Sequence, residues 1–203
     1  FFDKNFYPVS LFYLGMTTLF NDYRMMLPNL TMRSIYMDYY NVLNRIDGGA
    51  MRYAPVYERF VDERDFESLV RNYFEQYLGQ FPAQVFDKIN ENFIRCSFFE
   101  LVSRYLSSCY TFAIEQNNSE GRADFEMTGI PGTDYYTDDR LVEFKYYKAK
   151  EAEKMLGLDA PLPEHVEQVH RYAEDTLRHF PNYKVRTYVV YICANRGWKC
   201  WEV

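Results

Sequence analysis

Glu143 and Lys145 stand two residues apart in the stretch RLVEFKYY, and Asp124 comes before them in GRADFEM. In an extended strand, residues i and i+2 project from the same face. The carboxylate and the ammonium of VEFK therefore share one side with Leu141, while Val142, Phe144 and Tyr146 take the other. If the two segments are neighbouring strands, Asp124 and Glu143 reach a common point. Two carboxylates meeting at a sheet edge make a hard oxygen site suited to Mg²⁺ or Mn²⁺. A cation there would hold a phosphate oxygen, lower the pKa of a bound water and steady the charge developing on phosphorus. Lys145 would orient the water or serve as a fixed positive charge for the transition state. The chemistry expected of such a set is metal-assisted hydrolysis of a phosphodiester.

The elements that must hold these residues can be read from periodicity. Apolar positions Phe86, Ile89, Phe93, Cys96, Leu101 and Tyr105 predict one long amphipathic helix, or two consecutive ones, between Ala83 and Ser108. Pro82 suits the first turn of that helix. Aromatic and β-branched residues then replace the helical pattern from Cys109 to Glu115, which predicts a strand. GRADFEM and RLVEFKYY follow as two more strands, separated by a connection containing Pro131 and Gly132. Pro163 opens a helix with the stripe Val166, Val169, Ala173, Leu177 and Phe180. Strands are expected at Val185 to Cys193 and around Trp198 to Val203. The order helix, three strands, helix, two strands predicts an α/β fold, with a mixed central sheet against which helices pack.

Upstream, the spacing predicts helices over Thr31 to Arg45 and between Tyr57 and Leu78, while the apolar run up to Phe20 fits either a buried helix or a strand pair. With Phe81-Pro82 as the divide, residues 1–80 form an N-terminal helical subdomain and residues 81–203 the domain that carries the site. The chain begins without Met in what reads as mid-domain sequence, so a preceding partner domain is expected.

Composition narrows the partners. The 203 residues carry a net charge of -6, which argues against indiscriminate coating of nucleic acid. Nucleic-acid contact must be local, and Lys145, Lys148, Lys150 and Lys154 supply a basic cluster for it. No run approaches the roughly 20 apolar residues of a membrane span. The four cysteines lack C-x-x-C spacing and are expected as reduced thiols in a cytoplasmic protein. His165 and His170 are five apart, so they do not share a helix face and are not expected to be metal ligands. Tyr and Phe are abundant, 20 and 17 residues. Mixed into apolar runs, they are expected in the core or on a surface facing a partner.

GRAD followed by VEFK resembles the PD-(D/E)XK nuclease superfamily, whose core is an acidic residue at a strand end and then (D/E)-x-K on the next strand. More closely, SLFYLGMTTLF with LPNL, and NENFIR, IEQNNSEGRAD, VEFKYYK and EQVHRY, resemble bacterial proteins in which such a nuclease-like region follows an AAA-ATPase-like domain. The resemblance implies a restriction-endonuclease-like fold, with Asp124 and Glu143 as metal ligands for Mg²⁺ or Mn²⁺ and Lys145 as the catalytic lysine. Glu91 matches the acidic residue of the first core helix, and Glu115 is its rival. Gln168 and Tyr172, four apart on one helical face, match a Gln and a Tyr near the site. Arg122 and Lys148 are expected to support the site or meet phosphate, and Gly121 to permit the turn into the strand. The chain departs from the pattern in having no Pro before Asp124.

The implied function is metal-dependent hydrolysis of DNA. The alternative, supported by the acidic charge and the aromatic excess, is a nucleic-acid-binding or regulatory module that keeps the fold without cutting. An ATPase-like domain and a second copy of the chain are the further partners expected.

Overall fold

The computed structural model describes residues 7–21, 24–29, 32, 35, 49–114 and 123–203. Packing divides the chain into two compact units, Phe1–Arg52 and Tyr53–Val203. The first unit contains helix α1 (Tyr7–Tyr13) and an antiparallel pair, β1 (Thr18–Asn21) with β2 (Arg24–Met26). The apolar start of the chain is thus a helix followed by a strand pair. Of the helix expected over Thr31 to Arg45, Met32 and Ile35 are helical and the rest lies outside the described residues.

Helix α2 (Gly49–Glu63) leads into the second unit, followed by α3 (Phe66–Asn72), a wide π turn at Tyr73–Tyr77 and a tight turn at Leu78–Gln80. Asp65 caps α3 by accepting the Ser68 N–H. The helical stretch expected between Ala83 and Ser108 is two helices, α4 (Ala83–Phe86) and α5 (Glu91–Leu106). They part because Asn90 adopts extended backbone and accepts the Phe93 N–H, which starts α5 afresh at Glu91.

The sheet consists of β3 (Tyr110–Ile114), β4 (Phe125–Gly129), β5 (Asp138–Tyr147), β6 (Lys184–Cys193) and β7 (Gly197–Glu202), hydrogen-bonded in that order. All neighbours are antiparallel except β5 and β6, which run parallel. A parallel pair needs a crossover, and α6 (Ala152–Leu156) with α7 (Pro163–His179) supplies it. The mixed sheet flanked by helices is the expected restriction-endonuclease-like architecture.

The two faces of the sheet are buried differently. On one, Phe98 of α5 packs at 5.2 to 6.0 Å from the rings of Phe66, Tyr73, Phe125 and Phe144. Much of the aromatic content is used here, largely in edge-on contacts, the favoured geometry for rings. Tyr57, Phe60, Phe66 and Leu69 belong to this same core. The helices between residues 53 and 80, assigned from sequence to the N-terminal subdomain, therefore pack as part of the second unit, and the break in packing falls at Arg52–Tyr53. On the other face, Val169 of α7 and Met155 of α6 cover Leu141, Val189 and Tyr191.

Strand β5 is asymmetric along its length. Residues Asp139 to Val142 pair with β4 on one side and β6 on the other, but the β4 ladder ends at Phe125–Val142. From Glu143 to Tyr147 the register continues with β6 alone. The site lies where β4 and β5 part.

Candidate active site

Asp124 sits immediately before β4, not on a strand as its sequence context suggested, because the ladder begins at Phe125. Its side chain takes over where the backbone ladder stops: Oδ2 accepts the Phe144 N–H of β5 at 2.9 Å. Oδ1 accepts a hydrogen bond from Arg95 Nη1 at 2.6 Å. Burial raises the Asp124 pKa, and Lys145, Arg95 and the Phe144 N–H oppose that rise.

Glu143 is fully buried. Burial first, and Asp124 second, push its carboxyl up to about 7 despite the nearby ammonium of Lys145. Lys145 Nζ stands 2.5 Å from Glu143 Oε1, 3.4 Å from Glu91 Oε1 and 4.0 Å from Asp124 Oδ2. Burial works against the charge on Lys145, but Glu143, Asp124 and Glu91 more than offset it and hold the pKa above its usual value. One ammonium is thus the shared counter-ion of three carboxylates, and its side chain remains 20% exposed, open to a ligand.

Glu91 is the first residue of α5. It reaches the site because α5 starts beside the far end of β5, where Lys148 Nζ donates to the carbonyls of Phe86, Asp87 and Ile89 at 3.3, 2.7 and 2.9 Å. The three donors of Lys148 are therefore engaged in holding strand to helix. Tyr146 reinforces this by donating its hydroxyl to the Phe86 carbonyl at 2.5 Å.

Gln168 and Tyr172 share a face of α7, and Gln168 Nε2 donates to the Tyr172 hydroxyl at 3.3 Å. Among the described residues, neither is hydrogen-bonded to Asp124, Glu143 or Lys145. Glu115, Gly121 and Arg122 lie outside the described residues.

Two residues near the site were not expected from sequence. Arg95 is one helical turn after Glu91 on α5, and that i,i+4 spacing was the available signal. His165 of α7 is buried, and its Nδ1 lies 2.6 Å from the Tyr191 hydroxyl. Burial foremost, then the charge of Lys145, lowers its pKa, so it is held neutral beside the charged cluster.

The donor set can be tested against a divalent cation. Both Glu143 oxygens are buried without a hydrogen-bond partner, their one close contact being the Lys145 ion pair. A buried carboxylate left in this state costs several kcal/mol unless further positive charge reaches it. Among the described residues, no three His, Cys, Asp or Glu side chains form a closed metal cage. Mg²⁺ does not need one, since it is held by one or two carboxylates and completes its shell with water and phosphate oxygens. Asp124 and Glu143 fit that requirement.

An acid–acid–lysine cluster thus lies at the point where two strands of a mixed sheet diverge. Residues 89–202 match the sequence family described as the PD-(D/E)XK nuclease superfamily. The match spans more than half of the chain, and the chain belongs to that superfamily. No curated protein matches it.

Proposed function

We propose that this chain hydrolyses phosphodiester bonds of DNA with a divalent cation, Mg²⁺ or Mn²⁺, held by Asp124 and Glu143, with Glu91 contributing through water. The observation that carries this reading is the buried Glu143 carboxylate, ion-paired to Lys145 through Oε1 and with Oε2 unpartnered, beside Asp124. When bound, the cation supplies Lewis acidity at a phosphate oxygen and a water of lowered pKa. Arg95 fixes Asp124 by the bond to Oδ1, leaving Oδ2 facing Lys145. Lys145 Nζ, partly exposed beside both carboxylates, would offer its charge to the scissile phosphate and stabilise the transition state. A preceding ATPase-like domain would supply targeting or gating to this site.

A second reading is favoured by the net charge of -6, which provides no broad basic surface for DNA. In it the domain binds nucleic acid or regulates its partner without cutting. Incubation with plasmid and with linear single strands in Mn²⁺ decides between the two. Product from the wild type and none from Lys145→Ala supports hydrolysis. No product from the wild type, or equal product from the variant, overturns it.

A further inference from the structure

A groove of about 340 Å³ opens between α7 and the sheet on the Glu143 side. Its floor includes Ala123, the residue before Asp124, and Leu141, which shares a strand face with Glu143. The groove therefore lies along the same side of the sheet as the carboxylates.

Phe180 and Tyr183 line it from the turn between α7 and β6. Their rings stack at 4.8 Å with an interplanar angle of 18°. Tyr136, from the β4–β5 connection, braces Tyr183 edge-on at 6.1 Å. Phe180 is 51% exposed and Tyr136 46%. None of the three rings belongs to either core cluster, so fold packing does not account for them. Exposed aromatic faces of this kind are platforms on which bases stack, each worth about 1–3 kcal/mol.

The remaining lining says what such a ligand carries. Glu126 and Asp175 contribute carboxylates, Thr128 a hydroxyl and His179 an imidazole whose Nδ1 lies 2.9 Å from the Asp175 carbonyl, and no Lys or Arg lines the groove among the described residues. Thr128 already donates to the buried Asp139 at 2.9 Å, so its oxygen is left to accept. A phosphate would meet two carboxylates and no lysine or arginine here, whereas a neutral ring with an N–H₂ group would find acceptors beside a stacking surface.

We propose that this groove receives an unpaired nucleobase bearing an exocyclic amino group, with Phe180 and Tyr183 as the stacking wall and Glu126 and Asp175 as the acceptors. The inference rests on the nuclease reading above, since it places the base of a strand whose backbone reaches Asp124, Glu143 and Lys145. It makes single-stranded or locally opened nucleic acid the substrate class.

The test uses fluorescently labelled single-stranded oligomers of dA, dC and dT, and an abasic oligomer of equal length and charge. Their affinity for the chain is measured by anisotropy in Ca²⁺. The expected result is dA and dC binding about tenfold tighter than dT or the abasic strand, a difference of about 1.4 kcal/mol. Phe180→Ala with Tyr183→Ala should erase that preference while abasic affinity is retained, and Phe180→Trp, which keeps a ring, should preserve it. Equal affinity for dA, dT and the abasic strand, or an unchanged preference in the double variant, overturns the proposal. If the wild type still cuts plasmid in Mn²⁺ under that outcome, the nuclease reading survives the loss of the base site. If it neither binds any oligomer nor cuts, both fall.

Discussion

Strand β5 carries the same spacing twice. Asp138-x-Arg140 and Glu143-x-Lys145 each place a carboxylate and a cation two residues apart, on opposite faces of one strand. The first pair is enclosed in the core, although Arg140 Nε and Nη2 find no hydrogen-bond partner there. Arg140 is fully buried, donates to Asp138 and to the Tyr110 hydroxyl, and lies 4.9 Å over the ring of Phe60. Tyr110 in turn donates to Asp138 at 2.7 Å. The second pair is open: Glu143 has Lys145 as its close partner, and Lys145 is partly exposed and shared among three carboxylates. Acid-x-base spacing on a strand thus does not distinguish a structural ion pair from the one proposed to be reactive. What separates them is access: Arg140 is fully buried, whereas Lys145 keeps 20% of its side chain exposed where β4 has left β5.

The sharpest way to break this contrast is to damage each pair in turn. Arg140→Ala leaves Asp138 buried without its main partner and should cost about 3–5 kcal/mol of stability, read as a lowered urea midpoint; an unchanged midpoint would remove the enclosed pair from the structural account. Lys145→Ala should lower cleavage by about 10²–10³, and because it takes the counter-ion from the buried Glu143 its melting temperature should fall as well.

The third prediction uses pH. The folded-state pKa of Glu143 is raised from 4.5 to about 7, so the proton it binds stabilises the fold below the unfolded value, and that contribution is lost as pH rises through about 7. Glu143→Gln should match the wild type near pH 4 and exceed it at pH 8 by up to about 3 kcal/mol. It should also abolish the stabilisation by Mn²⁺ expected of the wild type at pH 8. Asp139, pushed up to about 7 by burial and by Glu126, follows the same sign, so Asp139→Asn should gain stability at pH 8 while keeping the Mn²⁺ response. Equal loss of that response in both variants would merge the two acids into one site. The smallest effect belongs to Lys148→Met, which should cost about 1–2 kcal/mol by chemical denaturation and raise the Mn²⁺ concentration needed for cleavage, because α5 loses its tie to β5.

Much of the reactive half of this contrast could be read from sequence, because alternation in RLVEFKYY fixes which residues share a face once the strand is granted. The lysine and both principal carboxylates follow from that and from Asp124. Burial was not legible, since how far the Glu143–Lys145 pair is enclosed depends on β4 diverging, a property of two segments together. The same limit explains Lys148: as one of a run of lysines it reads as a phosphate contact, yet it meets three carbonyls of a turn far away in sequence. The break before α5 was signalled by Asn90, a good cap ahead of Glu91, but the apolar spacing on either side masked it. Helices α2 and α3 were assigned to another subdomain because periodicity shows that a face is apolar without showing what covers it.

The clasp of Lys148 and Tyr146 on the carbonyls between Phe86 and Ile89 joins the start of a helix to the end of a strand. Glu91 and Lys145 thereby inherit a common frame from short local bonds, without relying on the course of the intervening polypeptide. Loosening that clasp would therefore move one acid relative to the ammonium without altering either side chain.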